Sequence, residues 1–333
     1  MAPITDILST DLAGIRLRNP VILAAGTCGY VGEMEGVVDL SRVGGLVTKS
    51  ITASPREGNA TWRVVPVPSG MMNAVGLANV GVEAFVRDQG PRIARASRRG
   101  VTVFGSVAGY SIEEYVAVCA AMESIPHLAA VELNVSCPNV HGGCEFGADP
   151  DALAELVTAV RAVLPTKKLF VKLSPIAVGK VGIVDVARAA ADPLGRSPGP
   201  IAGEGPRPGA DGLCLCNTIP AMAIDVRTRR PRLANVTGGL SGPAVHPVVV
   251  KIIHDVYRKV AGPAGIPIVG IGGVLVWQDA AELILAGASA VQMGTGLFVD
   301  PRSPLTVVRE LEKWVSRQGA ASIHDLVGSV ILE

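Results

Sequence analysis

Asn134, Ser136, Cys137 and Asn139 stand close together at the end of a short apolar run, Ala130-Val131-Glu132-Leu133. Pro138 cannot donate to a sheet ladder, so the strand must stop there and a loop begin. Two amides and a thiol are thereby delivered at the carboxyl end of a buried strand, where parallel α/β folds place their active sites. An amide carries both donor and acceptor and suits the edge of an amide-containing ring. A thiol of pKa ~8.5 can transfer a proton when its surroundings tune it. This stretch alone leaves open an inert, buried cysteine beside a capping asparagine.

The elements that must position these groups alternate along the chain. Asp11 to Arg18 reads as a hairpin with Gly14 at its turn. Pro20 to Ala24 is a first buried strand, a helix from about Glu33 follows, and Gly45 to Lys49 is a second strand. A long polar loop then carries Ser69 to Asn79. Later strands are Val101 to Ser106, Ala130 to Asn134, Leu169 to Leu173, Gly212 to Cys216, Pro267 to Ile271 and Ala290 to Met293, with helices between them. Each strand is a near-continuous apolar run, which implies a parallel sheet covered on both faces. About eight such units predict an α/β fold that is a single (β/α)8 TIM barrel over 1–333, rather than a doubly wound open sheet. The Gly/Pro-rich insert at 194–210 lies in a helix-to-strand connection, at the end of a barrel away from chemistry.

In a barrel the polar strand ends meet in one mouth: Lys49, Ser106, Asn134, Lys172 and Asn217. Lys172 alone could be a surface lysine, and Asn217 could cap a turn with Thr218. Two lysines at buried strand ends instead call for an anion. Gly238 to Gly242 reads as a loop entering a helix. Gly270-Ile271-Gly272-Gly273 and Gly294-Thr295-Gly296 follow the last two strands, where barrels bind phosphate through backbone N–H groups. Tight turns would also explain these glycines. No G-x-G-x-x-G follows the first strand.

Composition narrows the class. Hydrophobic residues make up 49% and charged residues 18%, which describes a large globular core. A net charge of +1 and 4% aromatics argue against a nucleic-acid partner. The mean hydropathy of +0.41 raises the question of membrane spans, but the uncharged stretch from Leu233 to Val250 is broken by Gly and Pro. With no signal peptide evident in Met1 to Thr10, a cytoplasmic location is expected. Among the six cysteines no C-x-x-C pair marks a metal site, and Cys214 and Cys216 read as packing residues.

Taken together, Ser69-Gly70-Met71-Met72-Asn73-Ala74-Val75-Gly76-Leu77, Asn134-Val135-Ser136-Cys137-Pro138-Asn139, Val171-Lys172-Leu173-Ser174-Pro175, Asn217-Thr218 and Gly238-Gly239-Leu240-Ser241-Gly242-Pro243 resemble the class 1 dihydroorotate dehydrogenases. The similarity is to the catalytic subunit of the NAD-linked (1B) type and covers nearly the whole chain. It implies oxidation of dihydroorotate to orotate, with Cys137 taking the C5 proton while C6 passes hydride to FMN. It implies a pyrimidine site at Lys49, Asn73, Ala74, Val75, Gly76, Leu77, Asn134, Asn217 and Thr218. FMN is expected on Ala25, Lys49, Ser50, Ser106, Asn134, Lys172, Cys216, Gly242, Gly272, Gly273, Gly294 and Thr295, with no metal. Expected partners are a second copy of the chain and an electron-transfer subunit carrying FAD and a 2Fe-2S cluster, forming a heterotetramer. Three departures stand out: Ala25 where Ser is frequent, Ser106 where Asn is usual, and the long insert. A dihydropyrimidine dehydrogenase-type flavin barrel and a fumarate-linked (1A) enzyme are the rival enzymes. A flavin- or phosphate-binding module without turnover is the non-enzymatic alternative.

Overall fold

A computed structural model of the chain describes residues 6–136, 146–175, 181–195 and 207–332. Eight parallel strands close into a barrel. They are β1 (Val21–Leu23), β2 (Gly45–Val47), β3 (Val103–Val107), β4 (Ala130–Asn134), β5 (Lys168–Leu173), β6 (Gly212–Leu215), β7 (Ile268–Ile271) and β8 (Ala290–Met293). Each pairs with the next in chain order, and β8 pairs with β1 to complete the ring.

Side chains alternate across a strand, and the two faces carry different residues. Val131, Leu133, Val171, Leu173 and Val291 join the apolar shell between barrel and helices. Ala130, Phe170, Cys214 and Ala290 point the other way and fill the barrel interior. Farther along the same strands, on that inner face, stand Glu132, Asn134, Lys172 and Gln292. The interior is therefore apolar at the amino ends of the strands and polar toward their carboxyl ends.

The helices covering the barrel are α1 (Val82–Arg98), α2 (Ile112–Glu123), α3 (Pro150–Ala162), α4 (Ile183–Ala191), α5 (His246–Val256), α6 (Trp277–Ala286) and α7 (Ser303–Arg317). In α3 the buried residues Leu153, Leu156, Val157 and Val160 recur at helical spacing and form one apolar stripe. Its start is set by Asp149, whose carboxylate accepts from the N–H groups of Asp151 and Ala152, and by Pro150 in the first turn. Among the described residues no helix is long and apolar enough to cross a membrane.

The amino-terminal hairpin, Thr10–Leu12 and Ile15–Leu17, turns through Ala13 and Gly14, both at positive φ. It plugs the bottom of the barrel: Leu12 and Leu17 pack against Ile22, Val47, Phe104 and Phe170. At the same end the Arg161 guanidinium donates to Asp211 Oδ2 at 2.6 Å, and the Leu169 N–H donates to the same oxygen at 2.8 Å. Both charged side chains are buried. Asp211→Ala would strand the arginine cation, so we expect a loss of roughly 3–5 kcal/mol in a denaturant titration. A loss under 1 kcal/mol would show that water reaches the pair. The insert at 194–210 returns to this end, where the Ala210 N–H donates to Ala190 O. Its residues 196–206 lie outside the described residues.

Three expectations need correction. No helix follows Glu33; the segment runs through turns to a short 3-10 helix, Leu40–Arg42. Glycines at 29, 32 and 36 disfavour helix there, and the Glu33 carboxylate instead accepts from the Tyr30 N–H. The stretch from Ser69 to Asn79 is not loop throughout, and Gly238 to Ser241 is not a loop at all. Val64–Val67, Gly70–Asn73, Gly238–Ser241 and Ile219–Ala221 form a four-stranded antiparallel sheet over the barrel mouth. Its glycines allow close backbone approach, a strand use that composition disguises as turn.

Candidate active site

The carboxyl ends of the barrel strands and the mouth sheet enclose a cleft of about 360 Å³. β2 delivers Lys49 and Ser50, β4 delivers Asn134 and Ser136, β5 delivers Lys172, and β6 delivers Cys216, Asn217 and Thr218 to its wall. Ala25 follows β1, and Asn73 to Leu77 descend from the mouth sheet. Gly272 and Gly273 after β7, Gly294 and Thr295 after β8, and Gly242 complete the lining. Ser106 is the one described residue of the expected set that does not reach the wall. It is fully buried, and its hydroxyl meets that of Ser50 at 2.8 Å, so it touches the cleft only through Ser50. Cys137 lies outside the described residues and follows Ser136 directly in the chain.

Hydrogen bonds fix the amides. Asn217 Nδ2 donates to Asn134 Oδ1 at 3.0 Å and to Ser136 Oγ at 2.8 Å, and the Ser174 hydroxyl donates to Ser136 Oγ at 2.9 Å. The Thr218 N–H occupies Asn217 Oδ1, and the Tyr115 hydroxyl holds the Asn134 carbonyl oxygen at 2.6 Å. With its Oδ1 engaged, Asn134 is left to offer N–H donors, which suit a carbonyl or carboxylate oxygen.

The loop from Asn73 to Leu77 is held as firmly. The Asn59 N–H and side-chain amide donate to the carbonyl oxygens of Val75 and Ala74. Gly76 has φ +74°, and a Cβ there would meet Asn59 at 2.7 Å, so only glycine fits. The glycine loops converge on the opposite wall: Thr295 Oγ1 donates to Ser241 Oγ at 2.8 Å, and a Cβ on Gly273 would meet Gly242 O at 3.0 Å.

Among the described residues the cleft wall carries two lysines, Lys49 and Lys172, and no carboxylate. Burial, with Arg63 and Lys172 nearby, pulls the Lys49 pKa below that of a free lysine. Binding of an anion should therefore weaken as pH rises through this lowered pKa, because the neutral amine no longer attracts it. Ligand affinity against pH checks this; a flat profile across the alkaline range would remove Lys49 from anion binding.

Two residues that matter here did not stand out in the sequence. Glu132 and Gln292 lie on the inner face beneath the cleft, 1% and 3% exposed, with Gln292 reaching its wall. Gln292 Nε2 donates to Glu132 Oε2 at 2.6 Å, and Lys172 Nζ lies 3.5 Å from Glu132 Oε1. A signal existed: each is a lone polar residue at an interior position of an apolar strand.

The family model for dihydroorotate dehydrogenase matches residues 7–195 and 204–315. The unmatched gap between these segments falls within the Gly/Pro-rich insert. A Pelobacter propionicus protein named as the catalytic subunit of dihydroorotate dehydrogenase B (NAD(+)) is 43% identical over 97% of this chain and 98% of its own length. A Geobacter sulfurreducens protein of the same name is 42% identical over 97% of this chain and 98% of its own length. A Solibacter usitatus protein, provisionally named dihydroorotate dehydrogenase A (fumarate), is 44% identical over 98% of this chain and 99% of its own length. The match runs through the barrel strands and the loops that carry the cleft, and the chain belongs to the dihydroorotate dehydrogenase family.

Proposed function

We propose that this chain is a cytoplasmic oxidoreductase of de novo pyrimidine biosynthesis, converting (S)-dihydroorotate to orotate with bound FMN. The observation that carries this reading is the cleft itself, whose described residues set two lysines and no carboxylate between ordered amides on one wall and glycine loops on the other. Orotate is an anion with an amide-rich ring, and FMN joins a phosphate to an amide-rich ring system. The residues present fit both. Lys49 faces the cleft with Arg63 and Lys172 as charged neighbours, and Gln292 Oε1 is buried with no hydrogen-bond partner among the described residues.

In this reading the backbone of Gly242, Gly272, Gly273, Gly294 and Thr295 holds the phosphate. Ser50 (backed by Ser106), Asn134, Lys172, Cys216 and the Ala25 backbone hold the ring system. Asn73 to Leu77, Lys49, Asn134, Asn217 and Thr218 orient the substrate ring. When bound, FMN supplies the acceptor for the hydride from C6. Cys137 Sγ takes the C5 proton. The described cysteines suit that role poorly: burial pushes the thiols of Cys28 and Cys216 up to about 12 and raises those of Cys119 and Cys214 as well.

Lys172 sets a cation against the ring system and favours electron uptake there. Lys172→Ala should lower the FMN reduction potential, by about 30 mV for each tenfold loss in the two-electron equilibrium. An unchanged potential in a variant that still binds FMN would contradict this role.

Relatives named as catalytic subunits support a partner. We take it to be an iron–sulfur flavoprotein, carrying FAD and a 2Fe-2S cluster, joined to a homodimer of this chain as a heterotetramer that delivers electrons to NAD. The Solibacter relative favours a second reading in which fumarate is the acceptor. The purified protein should be yellow, with one FMN per chain. A colourless protein that takes up no FMN would overturn the proposal.

A further inference from the structure

Glu132 projects from β4 into the barrel axis, where two side chains from other strands meet its two oxygens. Gln292, on β8, donates its amide N–H to Oε2, and Lys172, on β5, faces Oε1. A carboxylate can only accept, so it dictates which way the Gln292 amide turns. The reverse orientation would set two acceptors face to face. Glu132 therefore keeps Gln292 Nε2 inward and directs Oε1 elsewhere. That oxygen is buried and lacks a hydrogen-bond partner among the described residues, while Gln292 forms part of the cleft wall. Burying an unmet acceptor is costly unless a ligand supplies the donor.

The neighbour of that acceptor narrows the ligand. Lys172 and Gln292 both approach the Glu132 carboxylate and both line the cleft, so one wall offers a cation and a hydrogen-bond acceptor. The complementary ring edge has an electron-rich carbonyl beside an N–H. The pyrimidine edge of the isoalloxazine system carries its C2 carbonyl next to N3–H. Dihydroorotate also has ring N–H groups beside carbonyls, but the amides of Asn134 and Asn217 and the Asn73 to Leu77 loop already provide for a pyrimidine at the mouth. The side with Lys172 and Gln292 is the part of the cleft left for the cofactor.

We propose that Gln292 is an FMN ligand whose Oε1 accepts the isoalloxazine N3–H, and that Glu132 is a positioning residue that holds the amide in that orientation. The assignment rests on the FMN reading above. It is tested by the dissociation constants of FMN and of 3-methyl-FMN, which lacks the N3 proton, measured with flavin-stripped protein and no substrate. The wild-type chain should bind FMN at least ~10-fold more tightly than the methylated flavin, as expected when a buried acceptor is left unpaired. Gln292→Ala, which removes the acceptor and makes room for the methyl group, should bring the ratio of the two constants to within about threefold of one and weaken FMN itself. Glu132→Gln, which lets the amide turn over, should give a ratio between those of wild type and Gln292→Ala. Wild-type protein that binds both flavins equally overturns the proposal, as does a Gln292→Ala variant that keeps full discrimination. A Gln292→Ala variant that changes only the KM for dihydroorotate assigns the oxygen to substrate and overturns it as well. Failure to take up any flavin overturns the functional reading and this proposal with it. FMN uptake without discrimination overturns this one alone.

Discussion

Cys137→Ala should leave FMN bound and slow its reduction by dihydroorotate by roughly 10²–10⁴-fold, the loss typical of a missing general base. The residue follows Ser136, which the Asn217 amide and the Ser174 hydroxyl hold at the cleft wall. The other described thiols are buried, and burial raises their pKa values. Anaerobic stopped-flow mixing, followed through the flavin absorbance, reads the step directly. In the wild-type chain the rate should rise with pH as the thiol ionises, from an ordinary cysteine pKa of ~8.5 or below. The alanine variant should lose that rise. Near-normal reduction in Cys137→Ala would remove the thiol from the mechanism and leave the proton to another group.

The second large effect concerns the electron acceptor. The isolated chain should reduce artificial dyes with dihydroorotate, yet reduce NAD only when the iron–sulfur flavoprotein subunit is added. The sequence has no G-x-G-x-x-G after its first strand, and the family matches include chains named as catalytic subunits of an NAD-linked enzyme. Steady-state assays with NAD, dye and fumarate, with and without the partner, separate the alternatives. Efficient NAD reduction by the chain alone would contradict the two-subunit account. Fast, sustained turnover with fumarate would place the chain with its Solibacter relative instead.

The barrel was legible because its strands are short apolar runs at regular spacing, and the helices between them carry amphipathic stripes such as Leu153, Leu156, Val157 and Val160. The polar strand ends were legible for the same reason: Lys49, Asn134 and Asn217 each follow such a run, and Lys172 stands one residue before the end of one. The mouth sheet was not. Gly70, Gly238 and Gly239 read as turn residues, and their strand role depends on backbone contacts with partners distant in sequence, Gly238 and Gly239 opposite Ala221 and Pro220. The helix expected from Glu33 failed because the glycines at 29, 32 and 36 disfavour helix there. Ser106 reads as a truncated ligand in sequence, and only the fold shows its hydroxyl spent on Ser50. Glu132 and Gln292 are far apart in the chain, and nothing local says that the Gln292 amide donates to Glu132 across the barrel axis.

The central claim is that the cleft holds FMN where dihydroorotate can reduce it. The most direct measurement is the visible spectrum of the purified chain, recorded anaerobically before and after one equivalent of dihydroorotate. The account predicts flavin absorbance corresponding to one FMN per chain, bleached on addition of dihydroorotate with orotate formed in equal amount. A flavin spectrum that dihydroorotate leaves unchanged, or a chain that binds no flavin, would contradict it.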